Sequence, residues 1–541
     1  MLDLLFRGAT VVDGTGAPAF QADVGVRDGR IAEADGQSAK ETVDADGLFL
    51  MPGIVDVHTH YDAQITWDPT LSPSVGLGVT TAIMGNCGFG IAPCPAPLRE
   101  TMVRNLSVVE GMDLGALLSG TRWEFESFGE YLDYLERVRP YANVGVLAGH
   151  SSIRTAVMGE QASLRKEPTA EQLARMRALV AQAMRDGAAG FASSFSPNHS
   201  GWGGKPMPST IATDEELRSL VAELGAARRG IFVMATGPRA TPEFMESIAA
   251  QTGRPAFMVT VLTMYSKAQA SSALQYYECC AAALGRGHEV YIHTSCQPLS
   301  FDFTLREPYL LYSHDAFERV KAAAPHERAA IYRDPAFRAR FRENLKHPKQ
   351  GILFYGDWSQ VERDGVPLTE LSADPLEYLF DLPLDTQLVA KLFQNDDKGV
   401  APLLKHHAGV VALSDAGAHL IYFCDAGFGL HFLAHWVRET GTFTLEEGVR
   451  RLTSDPARKY RIPGRGTIRT GYSADLVLFD PAKVGVGPLE KRADLPGGGT
   501  RMVRAPRGVH GVWVNGLCVH DGEKYVERQS GPGSVIRNFD S

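Results

Sequence analysis

The chain reads as a (β/α)8 TIM barrel with a small β-sandwich domain formed from both termini. Three observations predict this. Both ends (1–52 and 467–541) break into short alternating β runs separated by Gly and Asp-Gly turns. Between them, apolar strands alternate with helical stretches, with roughly eight repeats over about 400 residues, the signature of a parallel α/β barrel. A length of 541 residues also exceeds what one small core supports.

The opening runs LLFRGATVVDG, DVGVRDGRIAEAD and ETVDADGLFLMPG, and the closing GTIRTGYSADLVLFD and GVHGVWVNGLCVHDGEKY, make the sandwich. The barrel, residues 53–466, draws its strands from VTTAIMG, NVGVLAG, AAGFASS, GIFVMAT, AFMVTVL, EVYIHTS and GVVALSD, preceded by IVDVHTH. Helical spacing marks 169–186, with Thr169 as N-cap, and a second helix starting at Asp214. Residues 298–405 lack clear strands and are rich in aromatics, prolines and mixed charge. They read as an insertion between strands seven and eight, over the active-site mouth, where barrel loops select substrate. A packed surface subdomain is the alternative. The insertion's aromatics hint at a bulky, apolar or aromatic substrate, and its size leaves a homo-oligomer open.

Net charge of -9 argues against nucleic-acid or membrane-surface partners, and a small-molecule substrate is the expected partner. Seven cysteines (87, 94, 279, 280, 296, 424, 518) form an odd set without scaffold spacing, which suggests a reducing compartment. The opening lacks a signal-peptide core, and no apolar run approaches the roughly 18 residues of a membrane helix. The expectation is a cytoplasmic protein.

Chemistry concentrates at strand ends. In Met51-Pro-Gly-Ile-Val-Asp-Val-His-Thr-His60 the buried strand puts His58 and His60 on one face, because side chains alternate along a strand. Two imidazoles projecting together can chelate one divalent ion. A bare HxH also suits an exposed loop, but the strand before it and Tyr61-Asp62 after it favour a metal. Cys87, after VTTAIMGN, reads either as a soft metal ligand or as a small buried hydrophobe. His150 closes another strand, where a catalytic loop would begin, or else only satisfies a local polar group. Arg154 could clamp a carboxylate in bidentate fashion. Asp415 ends the last strand, where an acid beside a metal can bind the ion and accept a proton from water.

Together, IVDVHTHYD, GNCGFG…APC, GHSSIR and LSDAGAH, with VVDGTG near the start and RLTSDPARKYRIPGRGTIRTGYSADLVLFD and VWVNG near the end, resemble the amidohydrolase superfamily. More narrowly, they are similar to its N-acyl-D-amino-acid deacylase (D-aminoacylase) branch. That resemblance implies a deformed barrel, amide hydrolysis and zinc. It lays the family's strand-one histidines on His58 and His60, its bridging cysteine on Cys87 and its strand-eight acid on Asp415. The branch also has histidines ending strands five and six. Here GIFVMATGPRA and PAFMVTVLTMYS contain none, and Met234, Thr236, Thr260 and Thr263 are poor replacements.

The expectation is therefore one Zn2+ per chain, held by His58, His60, Asp415 and Cys87. Asp415 would act as general base and acid, and the metal or His150 would stabilise the oxyanion. Arg154, His293, His419, Ser196 and His199 would contact substrate, with His293 meeting either the substrate or the groups behind the ligands rather than the metal itself. The alternative is a barrel diverged to C–C hydrolysis or a lyase reaction, or to a metal-free binding protein.

Overall fold

Eight strands line up in chain order, and every neighbouring pair runs parallel: β1 (Ile54–Asp56), β2 (Val79–Met84), β3 (Asn143–Gly149), β4 (Gly190–Ser194), β5 (Ile231–Ala235), β6 (Ala256–Val259), β7 (Val290–Thr294) and β8 (Gly409–Val411). The computed structural model describes residues 1–259, 263–267, 270–347, 352, 354–418 and 425–539, apart from the side chains of 301, 302 and 309. The barrel closes just past the strand ends, where Thr59 bridges Ala416 and the His60 amide donates to the Ala416 carbonyl at 2.7 Å. That seam is an isolated bridge rather than a ladder, so the barrel is deformed at the junction of β8 and β1.

The strands are nearly continuous apolar runs because both faces are covered, as parallel sheets require. Val55, Val57, Ile83, Leu147, Ile231, Val233, Phe257, Tyr291 and Val410 share one buried cluster. The C-terminal segment joins it: Val535 bridges Val144 at the start of β3, and Phe539 is fully buried.

Four helices matter below: α1 (Arg99–Val109), α2 (His150–Met158), α3 (Ala170–Asp186) and α4 (Asp214–Ala227). Thr169 caps α3 as expected, in a capping box with Gln172, and Gly187 at φ 107° ends it. Asp214 opens α4, but the capping side chain is Thr213, one residue earlier.

The termini interlock in one eight-stranded sheet of the β-sandwich domain. Phe49–Pro52 pairs antiparallel with Leu476–Phe479, and Leu2–Val11 lies next to it. Phe6 and Trp513 meet edge to face at 4.8 Å inside its core. Among the described residues, no helix is long and apolar enough to cross a membrane.

A second compact unit comprises Met264–Ala273 and Gln297–Val400. The sequence reading expected no clear strands in 298–405, and the structure corrects this. Leu299–Phe303, Leu388–Phe393, Val361–Arg363 and Val366–Pro367 form an antiparallel sheet. Its first pair joins Leu299 to Phe393 with no hairpin turn between them to signal the pairing. The 264–273 piece was likewise not foreseen. Part of the aromatic content is core: Phe303 and Phe354 are buried, and Phe317, Phe337, Phe341 and Phe380 form a ring cluster, while Tyr312, Tyr355 and Trp358 are half-buried.

Candidate metal centre

His58 and His60 follow β1, and the two-residue period carries both rings to one side. Their Nε2 atoms approach the same oxygen, Asp415 Oδ1, at 3.1 and 3.3 Å. Cys87 Sγ lies 3.8 Å from His58 Nε2, and ligand atoms of His58, His60 and Cys87 all lie within 4.8 Å of one another. The backbone delivers two of these groups by turning sharply. Cys87 stands at φ 55° in the short helical turn Asn86–Gly88, and Asp415 at φ 50° just beyond β8. Positive φ is costly for residues with a Cβ, and it tends to persist where a site demands it.

A ring of groups holds these four. Ser414 Oγ donates to Asp56 Oδ2 at 2.6 Å, and the His58 amide donates to Asp56 Oδ1 at 3.2 Å. Asp62 accepts from the Gly85 amide at 3.1 Å. Glu110, just past α1, sets Oε1 3.3 Å from His60 Nδ1, which has no hydrogen-bond partner among the described residues. His58 Nδ1 meets His293 Nδ1 at 3.0 Å.

Electrostatics mark the centre as cation-seeking. Burial pushes Asp56 and Glu110 up to about 7 and Asp62 to about 6. Burial opposes ionisation of Asp415 too, but hydrogen bonds from His58 and His60 outweigh it and hold the carboxyl well below its usual range. Burial likewise disfavours charge on His60, yet Glu110 and Asp415 hold its pKa well above the usual value. Burial lifts the Cys87 thiol to about 11. The centre thus gathers several buried acids around the two imidazoles. A divalent cation suits such a set of two imidazoles, a carboxylate and a thiol, replacing protons at buried positions.

The other expected residues fall elsewhere. His150 opens α2 fully buried, with Nδ1 2.8 Å from Ser193 Oγ and Nε2 2.9 Å from Glu216 Oε1. Both ring nitrogens are engaged, so the expected oxyanion role has no free donor. Arg154 is also fully buried: it pairs with Glu216 and donates to the carbonyls of Ala162, Arg165 and Lys166. The substrate clamp expected of it is replaced by a structural network, because a buried guanidinium must satisfy its donors locally. His293 faces His58 and Tyr460 rather than open space. His199 is half-buried, with Nδ1 2.7 Å from Ser194 Oγ and its ring against Phe89, two residues past Cys87. The Ser196 amide donates to Ser194 Oγ at 3.1 Å. His419 and Thr260 lie outside the described residues. On β5, Met234 is fully buried, and just past it Thr236 Oγ1 lacks a hydrogen-bond partner among the described residues.

Sequence reasoning missed Asp56, Glu110, Ser414 and Tyr460. Asp56 had a signal, since it shares the face of His58 and His60 by the same two-residue period. Glu110 and Tyr460 had none, since each reaches the centre from a distant element.

A closed parallel barrel with paired histidines after the first strand and an acid after the last defines a class, the metal-centred hydrolase barrels. The chain belongs to the amidohydrolase family, whose model matches residues 41–339 and 400–520. It is 28% identical to D-aminoacylase of Alcaligenes xylosoxydans xylosoxydans, over 98% of this chain and 96% of that one. N-acyl-D-aspartate deacylase of the same organism is 27% identical, over 100% and 96%. Among solved structures, N-acyl-D-glutamate deacylase from Bordetella bronchiseptica, complexed with zinc and a phosphonate inhibitor, superposes with TM-score 0.68 at 26% identity, covering 99% of this chain and 100% of that one.

Proposed function

We propose that the protein is a deacylase that hydrolyses the amide bond of an N-acyl-D-amino acid, using one Zn2+ per chain. The observation that carries this is the convergence of His58 Nε2 and His60 Nε2 on Asp415 Oδ1. End-to-end likeness to three named D-amino-acid deacylases supports the substrate class.

His58, His60, Asp415 and Cys87 would hold the ion. When bound, such a cation supplies Lewis acidity, lowering the pKa of a water from about 15.7 to about 7 and polarising the scissile carbonyl. Asp415 serves as the proton carrier: its carboxyl stands beside both histidines at the mouth of the last strand, where it accepts the proton of the attacking water. The same carboxyl then returns that proton to the leaving nitrogen. Ser196 and His199, on the loop after β4, are the remaining candidates to meet substrate. The six described cysteines are free.

A second reading is other bond chemistry on the same barrel. It draws on β5, which ends at Ala235 and is followed by Thr236, with no imidazole where the resembled branch carries one. Elemental analysis of protein purified without added metal, combined with assays on N-acetyl-D- and N-acetyl-L-amino acids, separates the readings. About one zinc per chain with release of free D-amino acid supports the deacylase. Retained zinc with no amidase activity favours other bond chemistry. Turnover that survives complete chelation overturns the metal-dependent reading.

A further inference from the structure

The two histidines of the centre are backed by unlike groups. His60 Nδ1 faces the carboxylate of Glu110. His58 Nδ1 instead faces another imidazole, His293 Nδ1, at 3.0 Å, and His293 Nε2 continues to the Tyr460 hydroxyl at 2.6 Å. All three side chains of this line are buried. We infer that His293 and Tyr460 are positioning residues that set the tautomer and ring orientation of His58 for the metal ion, an inference that rests on the metal-dependent reading above.

The bonding permits one direction only. A neutral imidazole carries a single N–H, so a His58 that offers the Nε2 lone pair to a cation keeps its proton on Nδ1. That proton is donated to His293 Nδ1, which must then be the lone-pair nitrogen of its own ring. The proton of His293 consequently sits on Nε2 and is donated to the Tyr460 oxygen. Reversing any one step would set two protons, or two lone pairs, against each other in a buried place.

Packing removes the freedom that would spoil this order. His293 stands edge-on to His58, ring centres 5.2 Å apart and planes at 88°, and lies against Phe257 at 5.8 Å and Tyr460 at 6.0 Å. Tyr460 is itself pinned against Phe257 at 4.4 Å. A ring so enclosed cannot flip to exchange its nitrogens without moving three neighbours.

The neutral backing also suits the charge already present. Asp415, Glu110 and Asp62 gather around His60, so a carboxylate behind His58 as well would add negative charge to a buried pocket. Partners behind metal-ligating histidines typically contribute 10–100-fold in metal affinity.

The test measures zinc affinity by chelator competition, and the visible absorption of the cobalt-substituted protein, for H293L, H293N, Y460F and the unsubstituted chain. H293L removes the acceptor while keeping bulk, and is expected to weaken zinc about 10–100-fold and shift the cobalt bands. H293N retains an acceptor near the position of Nδ1 and is expected to restore most of that loss. Y460F keeps the ring against Phe257, so it folds even where H293L does not, and is expected to show a smaller loss and a detectable band shift. Unchanged affinity and spectrum in both H293L and Y460F, or H293N as weak as H293L, overturns the inference while leaving the metal reading in place. An unsubstituted chain that takes up no zinc overturns both.

Discussion

Ser414 Oγ donates to Asp56 Oδ2 at 2.6 Å, tying the loop after the last barrel strand to the first strand just before each delivers its share of the metal centre. Asp56 also receives the His58 amide, and Ser414 Oγ accepts from the Ala416 amide at 3.1 Å. One buried pair therefore sets the spacing between His58 and Asp415. Replacing Ser414 with Ala leaves a buried carboxylate oxygen without its donor. The expected loss is about 1–3 kcal/mol in denaturant unfolding, with weaker zinc binding. Unchanged stability and zinc binding would show that the barrel seam holds without this bond.

Asp415→Asn keeps the size of the side chain and removes its basicity. Turnover is expected to fall about 10²–10⁴-fold or more, with the circular dichroism spectrum unchanged. A near-normal rate in this variant would remove Asp415 from the proton transfers.

Gly417 has φ +95°, and a Cβ there would lie 2.6 Å from the backbone carbonyl carbon and oxygen of His60. Backbone cannot give way as a flexible side chain does, so Gly417→Ala should push the β8 loop off β1. The expected result is a loss of about 1–3 kcal/mol or more, together with weakened zinc binding, read by thermal unfolding and chelator competition. Wild-type zinc affinity in this variant would contradict the close approach.

Glu216 lies between His150 and Arg154, well away from the metal ligands in sequence. Burial works against its charge, but hydrogen bonds and charge from His150 and Arg154 hold its carboxyl below the ordinary 4.5. A carboxyl whose pKa is lowered by folding adds stability that is present above the unfolded value and is lost as pH falls through the folded one. Unfolding free energy should thus decline as pH drops below 4.5, and Glu216→Gln should flatten that part of the curve. The substitution strands a buried guanidinium, so it should also cost about 3–5 kcal/mol near neutrality. A pH–stability curve parallel to wild type would assign the acid sensitivity elsewhere.

What the amino-acid sequence determined by itself was local. The apolar runs that become β1 to β8, the capping box at Thr169, and the shared face of His58 and His60 all follow from periods of two and 3.6 residues and from nearest neighbours. Those patterns survive folding because each is decided within a few residues. The rest was decided by tertiary structure, because it depends on which distant loops meet. Asp56 and Ser414 are 358 positions apart, His58 and His293 are 235, and His293 and Tyr460 are 167. Nothing in the segment around Arg154 announces that it will pair with Glu216 inside the protein instead of facing a substrate. Closure of the barrel brings these groups together, and desolvation then determines which of them carry charge, so the centre's electrostatics exist only in the folded chain.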